Sequence, residues 1–177
     1  MSYLLDFTSP AANATDCSGG KGANLGLLTQ RGCPVPPGFV VTAAAYRAFI
    51  AAADGFAARV GSLPVADAPR RRAESETLRA GLAALPLPDA LVAEVRAALA
   101  RFPTGRAFSV RSSSTLEDLA HVALAGQHDT FLTITGADAI LAKIKACFLS
   151  LCHERAIAYP TSRGSTTRGL RWPSSCR

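Results

Sequence analysis

The sequence predicts an α+β fold in which helices predominate. Three observations carry this expectation. Short apolar runs bounded by turn residues occur at Phe39-Val40-Val41, Ala107-Phe108-Ser109-Val110 and Thr130-Phe131-Leu132-Thr133-Ile134, with the length of strands and, in the last two, their alternation. Longer runs repeat apolar residues three and four apart, most clearly from Asp138 to Leu151, where Ile140, Leu141, Ile144 and Phe148 share one helical face. Proline and glycine breaks separate these segments.

Taken in order, Tyr3 to Phe7 is apolar enough for a first strand, and the small, polar stretch Thr8 to Gly20 reads as a loop. Gly19-Gly20-Lys21-Gly22 then opens a helix from Ala23 to Arg31, with Leu25, Leu27 and Leu28 near helical spacing. Gly32 suits its end, and Pro34, Pro36 and Pro37 forbid its continuation. After the Phe39 to Val41 strand, Thr42 is placed to cap a helix through about Ala53, with Tyr46, Phe49 and Ile50 on one face. Two more helices are expected from about Ala68 to Leu85 and from about Asp89 to Phe102, the second capped by Asp89. No internal repeat is present.

Composition narrows the function classes. At 177 residues and 49% hydrophobic content, the chain can bury a core. No apolar run approaches the roughly 18 to 20 residues of a bilayer span, and MSYLLDFTSP lacks a basic leader, so a soluble cytoplasmic protein without a membrane partner is expected. The net charge of +6 belongs mostly to the end of the chain. The last fifteen residues hold Arg163, Arg168, Arg171 and Arg177 and no acid, leaving residues 1–162 with 15 bases against 13 acids. Arg70-Arg71-Arg72 has no interleaved aromatics and reads as a solvated helix start, so no nucleic-acid partner is expected. Cys17, Cys33, Cys147, Cys152 and Cys176 form no C-x-x-C pair, which indicates small buried residues and neither a disulfide framework nor a zinc site. His121, His128 and His153 are not spaced as metal ligands.

Two segments have the chemistry of an anion site. In Gly19-Gly20-Lys21-Gly22, glycines let backbone N–H groups approach an anion, the helix start adds partial positive charge and Lys21 adds a full one. The spacing departs from the G-x-x-x-x-G-K-[ST] loop, and a plain glycine turn with an exposed lysine is the competing reading. Val110-Arg111-Ser112-Ser113-Ser114-Thr115 places a guanidinium and several hydroxyls after a strand, suited to phosphate oxygens. Its alternative is a helix start capped by Thr115 with Asp118 three residues on. Gly126-Gln127-His128-Asp129-Thr130 could face a nucleotide or merely end a loop. Glu117 and Asp118 are read as structural, so no catalytic or metal residue is assigned.

In order and content these segments closely resemble the N-terminal ATP-binding domain shared by phosphoenolpyruvate synthase, pyruvate phosphate dikinase and rifampicin phosphotransferase. The resemblance rests on GGKGANLGLLTQRGCPVPPGFVVTAAAYRAF, FSVRSSSTLEDL, LAGQHDTFLTITGADAILAKIKACFLSL and HERAIAY. It covers residues 1 to about 159, with Ala53 to Thr104 matching in helical character alone. It implies part of an ATP-grasp-like domain, its first lobe, with Lys21 and Arg111 on the ATP phosphates and Gly126 and Thr130 lining the nucleotide site. It also implies ATP and Mg²⁺ as cofactors, with the Mg²⁺ ligands in a later part of the family's domain that nothing here resembles. In the family, ATP phosphorylates a histidine on a separate swivelling domain, which passes the group to pyruvate or to rifampicin. The phosphoenolpyruvate synthase reaction converts ATP, pyruvate and water to phosphoenolpyruvate, AMP and phosphate. Ser114, Thr115 and His128 depart mildly from the family pattern.

The resemblance implies an ATP-binding portion that is inactive alone. A stand-alone nucleotide-binding module is the alternative, and a third reading takes both motifs as mere turns. From residue 160 the periodicity ends, and residues 160–177 read as an unstructured, non-family tail. Back-translated with GC-rich codons and shifted by one base, Ser165 to Arg177 becomes Val-Asp-His-Ala-Arg-Val-Ala-Leu-Ala-Val-Val-Val-Gln, which resembles the family's next strand. A frameshift near residues 160 to 164 is therefore expected, and the nucleotide sequence tests it.

Overall fold

Leu4–Asp6 (β1) pairs antiparallel with Phe39–Val41 (β2), in the register Leu4↔Val41, Leu5↔Val40 and Asp6↔Phe39. A second antiparallel pair joins Phe108–Arg111 (β3) to Thr130–Ile134 (β4), through Phe108↔Ile134, Val110↔Phe131 and Arg111↔Thr130. The structure, a computed structural model, describes residues 2–63, 67–113 and 130–150. Its helices are α1 (Thr15–Gln30), α2 (Ala43–Ala51), α3 (Phe56–Gly61), α4 (Ala68–Ala84), α5 (Asp89–Leu99) and α6 (Ala137–Ser150), with a 3-10 helix at Pro10–Asn13. The described residues are thus α+β with helix in the majority, as the periodicities predict.

Two-stranded sheets are marginal in isolation. Here each leans on one shared helical core: Leu4 and Val41 from the first pair, and Phe108, Val110 and Ile134 from the second, pack against it. α6 carries the centre of that core, and the four residues expected on its apolar face, Ile140, Leu141, Ile144 and Phe148, are all buried. Phe148 reaches α2, with ring centroids 5.3 Å from Tyr46 and 5.6 Å from Phe49, in edge and tilted arrangements that suit aromatic quadrupoles. Leu78 and Leu82 of α4 and Leu91 and Val95 of α5 complete it. Glu94 on α5 ties down the N-terminal strand, its carboxylate accepting from the amides of Tyr3 at 2.9 Å and Leu4 at 3.1 Å.

α1 departs from the leucine pattern. The helix exists, but it buries Gly22, Ala23 and Gly26 and leaves Leu27 and Leu28 exposed. The reason is close backbone approach: a Cβ on Gly26 would lie 3.0 Å from the Cβ of Ala12, so the 3-10 helix rests directly on the α1 backbone. Gln30 fastens the same contact, its amide donating to the carbonyls of Ser9 at 2.9 Å and Phe7 at 3.3 Å. The expected loop from Thr8 to Gly20 is therefore largely helical, with Pro10 opening the 3-10 segment where its missing N–H costs nothing.

Smaller differences follow local chemistry. α3 has no counterpart in the predicted elements. Asp89 is the first helical residue of α5, with Pro88 at the cap position, and still complements the helix dipole. Thr42 stands at the cap of α2 without a capping bond, its buried hydroxyl lacking a partner among the described residues. The Arg70-Arg71-Arg72 run lies early in α4, where Arg70 and Arg72 pair with Glu74 and Glu76 one turn on, as a solvated helix start requires. Cys147 is a buried thiol as expected, but Cys33 is exposed and Cys17 is disulfide-bonded, which corrects the reading of the cysteines as reduced, buried residues. Among the described residues no helix is long and apolar enough to cross a membrane. The tail at 160–177 lies outside the described residues.

The turn after β1 has a pH signature. Asp6 accepts from the Thr8 amide at 3.0 Å and the Thr8 hydroxyl at 2.8 Å, and these bonds, with a smaller contribution from Arg101, hold its carboxyl below the ordinary value of 3.8. A carboxyl depressed in the folded state stabilises above its unfolded pKa, and that contribution is lost as pH falls through the folded value. Asp6→Asn is expected to lower the melting temperature near neutral pH, with the deficit shrinking as pH falls below the ordinary carboxyl value. Thermal melts across that range test this, and a constant deficit would refute it.

Candidate functional site

Gly19 sits at φ 64°, ψ 170°, a region open essentially to glycine alone. This kink divides α1 into a short lead-in and a main body beginning near Lys21. The main body abuts the end of β3. The Lys21 amide donates to Ser113 Oγ at 3.0 Å, the Gly22 amide donates to the same oxygen at 3.2 Å, and Lys21 Nζ donates to the Ser112 carbonyl at 3.1 Å. A Cβ on Gly19 would fall 2.6 Å from Ser113 O and 2.7 Å from its carbonyl carbon. The glycine turn and the strand end are therefore in contact.

This arrangement revises how the turn could serve an anion. The amides of Lys21 and Gly22, the expected anion donors, are already engaged by Ser113. The positive side chains at this end are Lys21, whose ammonium donates to the Ser112 carbonyl, and Arg111 one residue before that serine. Arg111 closes β3 and is exposed, and no side chain pairs with its guanidinium among the described residues. Thr130 is its register partner across the antiparallel pair, so the two share a face. Val110, one residue earlier, packs against the core instead. Three of the four sequence-predicted site residues, Lys21, Arg111 and Thr130, thus gather at one end of the β3–β4 pair. Gly126, the fourth, lies outside the described residues, as do Thr115, Glu117, Asp118 and the three histidines.

Two further groups at this end were not singled out from the sequence. Ser18 and Ser112 are buried at 3% and 6% exposure, and neither hydroxyl has a hydrogen-bond partner among the described residues. A buried hydroxyl without a partner is costly, and an oxygen-rich anion would supply the acceptor. The set of Lys21, Arg111 and these hydroxyls therefore fits a phosphate group. Only their neighbours in space give them away, since serines beside glycines or after a strand are ordinary turn residues. Among the described residues no group of three or more His, Cys, Asp or Glu could hold a metal ion. β4 carries an extra residue opposite β3 between the Phe108 and Val110 pairings, and Thr133 there adopts φ 57°, a bulge that adds local twist.

The kinked helix start carrying Lys21 thus docks on the strand end that carries Arg111, and comparison with known proteins gives the class of domain, a nucleotide-binding one. The family described as "Pyruvate phosphate dikinase, AMP/ATP-binding domain" matches residues 15–171. Among curated relatives, rifampicin phosphotransferase of Streptomyces sviceus is 38% identical over 173 residues, 96% of this chain and 20% of the relative. Phosphoenolpyruvate synthase of Neisseria meningitidis is 34% identical over 174 residues, 92% of this chain and 22% of the relative. Rifampicin phosphotransferase of Bacillus subtilis is 38% identical over 150 residues, 82% and 17% respectively. The chain belongs to the pyruvate phosphate dikinase AMP/ATP-binding domain family, and it corresponds to the N-terminal portion of relatives of which it spans about a fifth.

Proposed function

We propose that this chain is the ATP-binding portion of a phosphotransferase of the phosphoenolpyruvate synthase and rifampicin phosphotransferase type, in which Lys21 and Arg111 hold the ATP phosphates and Gly126 and Thr130 line the nucleotide site. The observation that carries the reading is the seating of Lys21 Nζ on the Ser112 carbonyl, beside Arg111. Two cations at one strand end can stabilise the charge that develops on a transferring phosphoryl group. The lobe is ATP-grasp-like, Mg²⁺ accompanies ATP on ligands supplied elsewhere, and the protein is cytoplasmic. In the whole protein the phosphoryl group passes to a histidine on a separate domain and then to pyruvate or, in the alternative branch, to rifampicin. This chain alone binds ATP weakly and turns nothing over.

Purified chain in millimolar Mg²⁺-ATP tests the reading. ATP is expected to raise the melting temperature, and Lys21→Ala and Arg111→Ala are each expected to weaken binding about tenfold, the loss of a charge-assisted contact. No AMP should accumulate. An ATP response that persists undiminished in both variants, or no response in the unmutated chain, would sink the proposal.

A further inference from the structure

We propose that Ser113 is the positioning residue of this site, its hydroxyl fixing the glycine turn on the end of β3 so that the Lys21 ammonium is delivered beside Arg111; the inference rests on the phosphate reading above. Ser113 Oγ accepts from two consecutive amides, Lys21 N at 3.0 Å and Gly22 N at 3.2 Å, which uses both of its lone pairs. These amides lie at the start of the α1 main body, where intrahelical acceptors are lacking. Ser112 contributes the second point of attachment, its carbonyl taking Lys21 Nζ. Neighbouring residues thus divide the work, one holding the lysine's backbone and the other its side chain. Gly19, without a Cβ, lets the Ser113 backbone come into contact.

The division matters because a lysine side chain is long and flexible, and a single bond to Nζ cannot define where its charge sits. Fixing the backbone of Lys21 shortens the uncertainty to four side-chain torsions, of which the Ser112 carbonyl restrains the last. Preorganised charge of this kind is what electrostatic stabilisation of a phosphoryl group requires. Ser113 touches no reacting atom in this account and acts through Lys21.

The test compares unmutated chain, Lys21→Ala, Ser113→Ala and Ser113→Thr for binding of Mg²⁺-ATP and of adenosine, together with amide exchange at Lys21 and Gly22. Ser113→Ala is expected to weaken ATP about tenfold, leave adenosine unchanged and speed exchange at both amides. Ser113→Thr, which keeps the acceptor, is expected to restore all three. A merely structural role would lower the affinities for ATP and adenosine alike. If Lys21→Ala loses ATP while Ser113→Ala does not, the positioning role is overturned and the phosphate site stands. If Lys21→Ala binds ATP as the unmutated chain does, the phosphate reading itself fails and takes this one with it. Should Ser113→Ala not fold, Ser113→Cys, a weaker acceptor, is expected to bind ATP with an affinity between those of the unmutated chain and Lys21→Ala, and wild-type ATP affinity with fast amide exchange would overturn the role.

Discussion

Gly19→Ala is expected to cost about 3 kcal/mol and to detach the turn from the end of β3. Two independent penalties combine. The backbone at φ 64°, ψ 170° is closed to residues with a Cβ except under strain. The added methyl would also meet the Ser113 carbonyl at 2.6 Å, and a backbone atom cannot rotate aside as a side chain would. Gly32 separates the two penalties, because it too has a positive φ of 76° but nothing within 4 Å of its missing Cβ. Gly32→Ala should show only the conformational part, on the order of 1 kcal/mol. Urea unfolding of both variants gives the comparison. Equal costs would mean that the turn does not press on Ser113.

Phe49→Ala is expected to cost about 3 to 5 kcal/mol. Phe49 is fully buried on α2 and packs 5.6 Å, centroid to centroid, from Phe148 on α6, so truncation loses both transfer free energy and packing partners. A domain of this size has only about 5 to 15 kcal/mol to lose, so the variant is expected near its unfolding threshold. Leu132→Ala is the matched surface change: Leu132 is 63% exposed and should move stability by no more than about 0.5 kcal/mol. Chemical denaturation with circular dichroism measures both. A Phe49→Ala cost below about 1 kcal/mol would show that α2 does not pack on α6 as described.

The legibility of these features in the sequence follows physical lines. The α6 face was readable because Ile140, Leu141, Ile144 and Phe148 repeat at helical spacing and have no other way to leave water. α1 misled because its neighbours are met by glycine and alanine, which carry little hydropathy, while Leu27 and Leu28 face outward. The short α3 has too few residues to show a period. At the site, Lys21 and Arg111 were each visible as candidate phosphate contacts from composition and position, and the family resemblance placed them in one series. The junction between them was not visible. Ser113 looks like any serine after a strand, and its role depends on two amides in a distant part of the chain that no local pattern announces.

That distance has a consequence for how the molecule comes into being. The Lys21 amide and the Ser113 hydroxyl are separated by 92 positions, so a nascent polypeptide must have left the ribosome past β3 before this contact can form. Closing so long a loop costs entropy that is paid before the contact itself can form. Assembly here is expected late in folding, after the helices have gathered, and a chain interrupted before residue 113 would carry the glycine motif without the anchor that gives it shape.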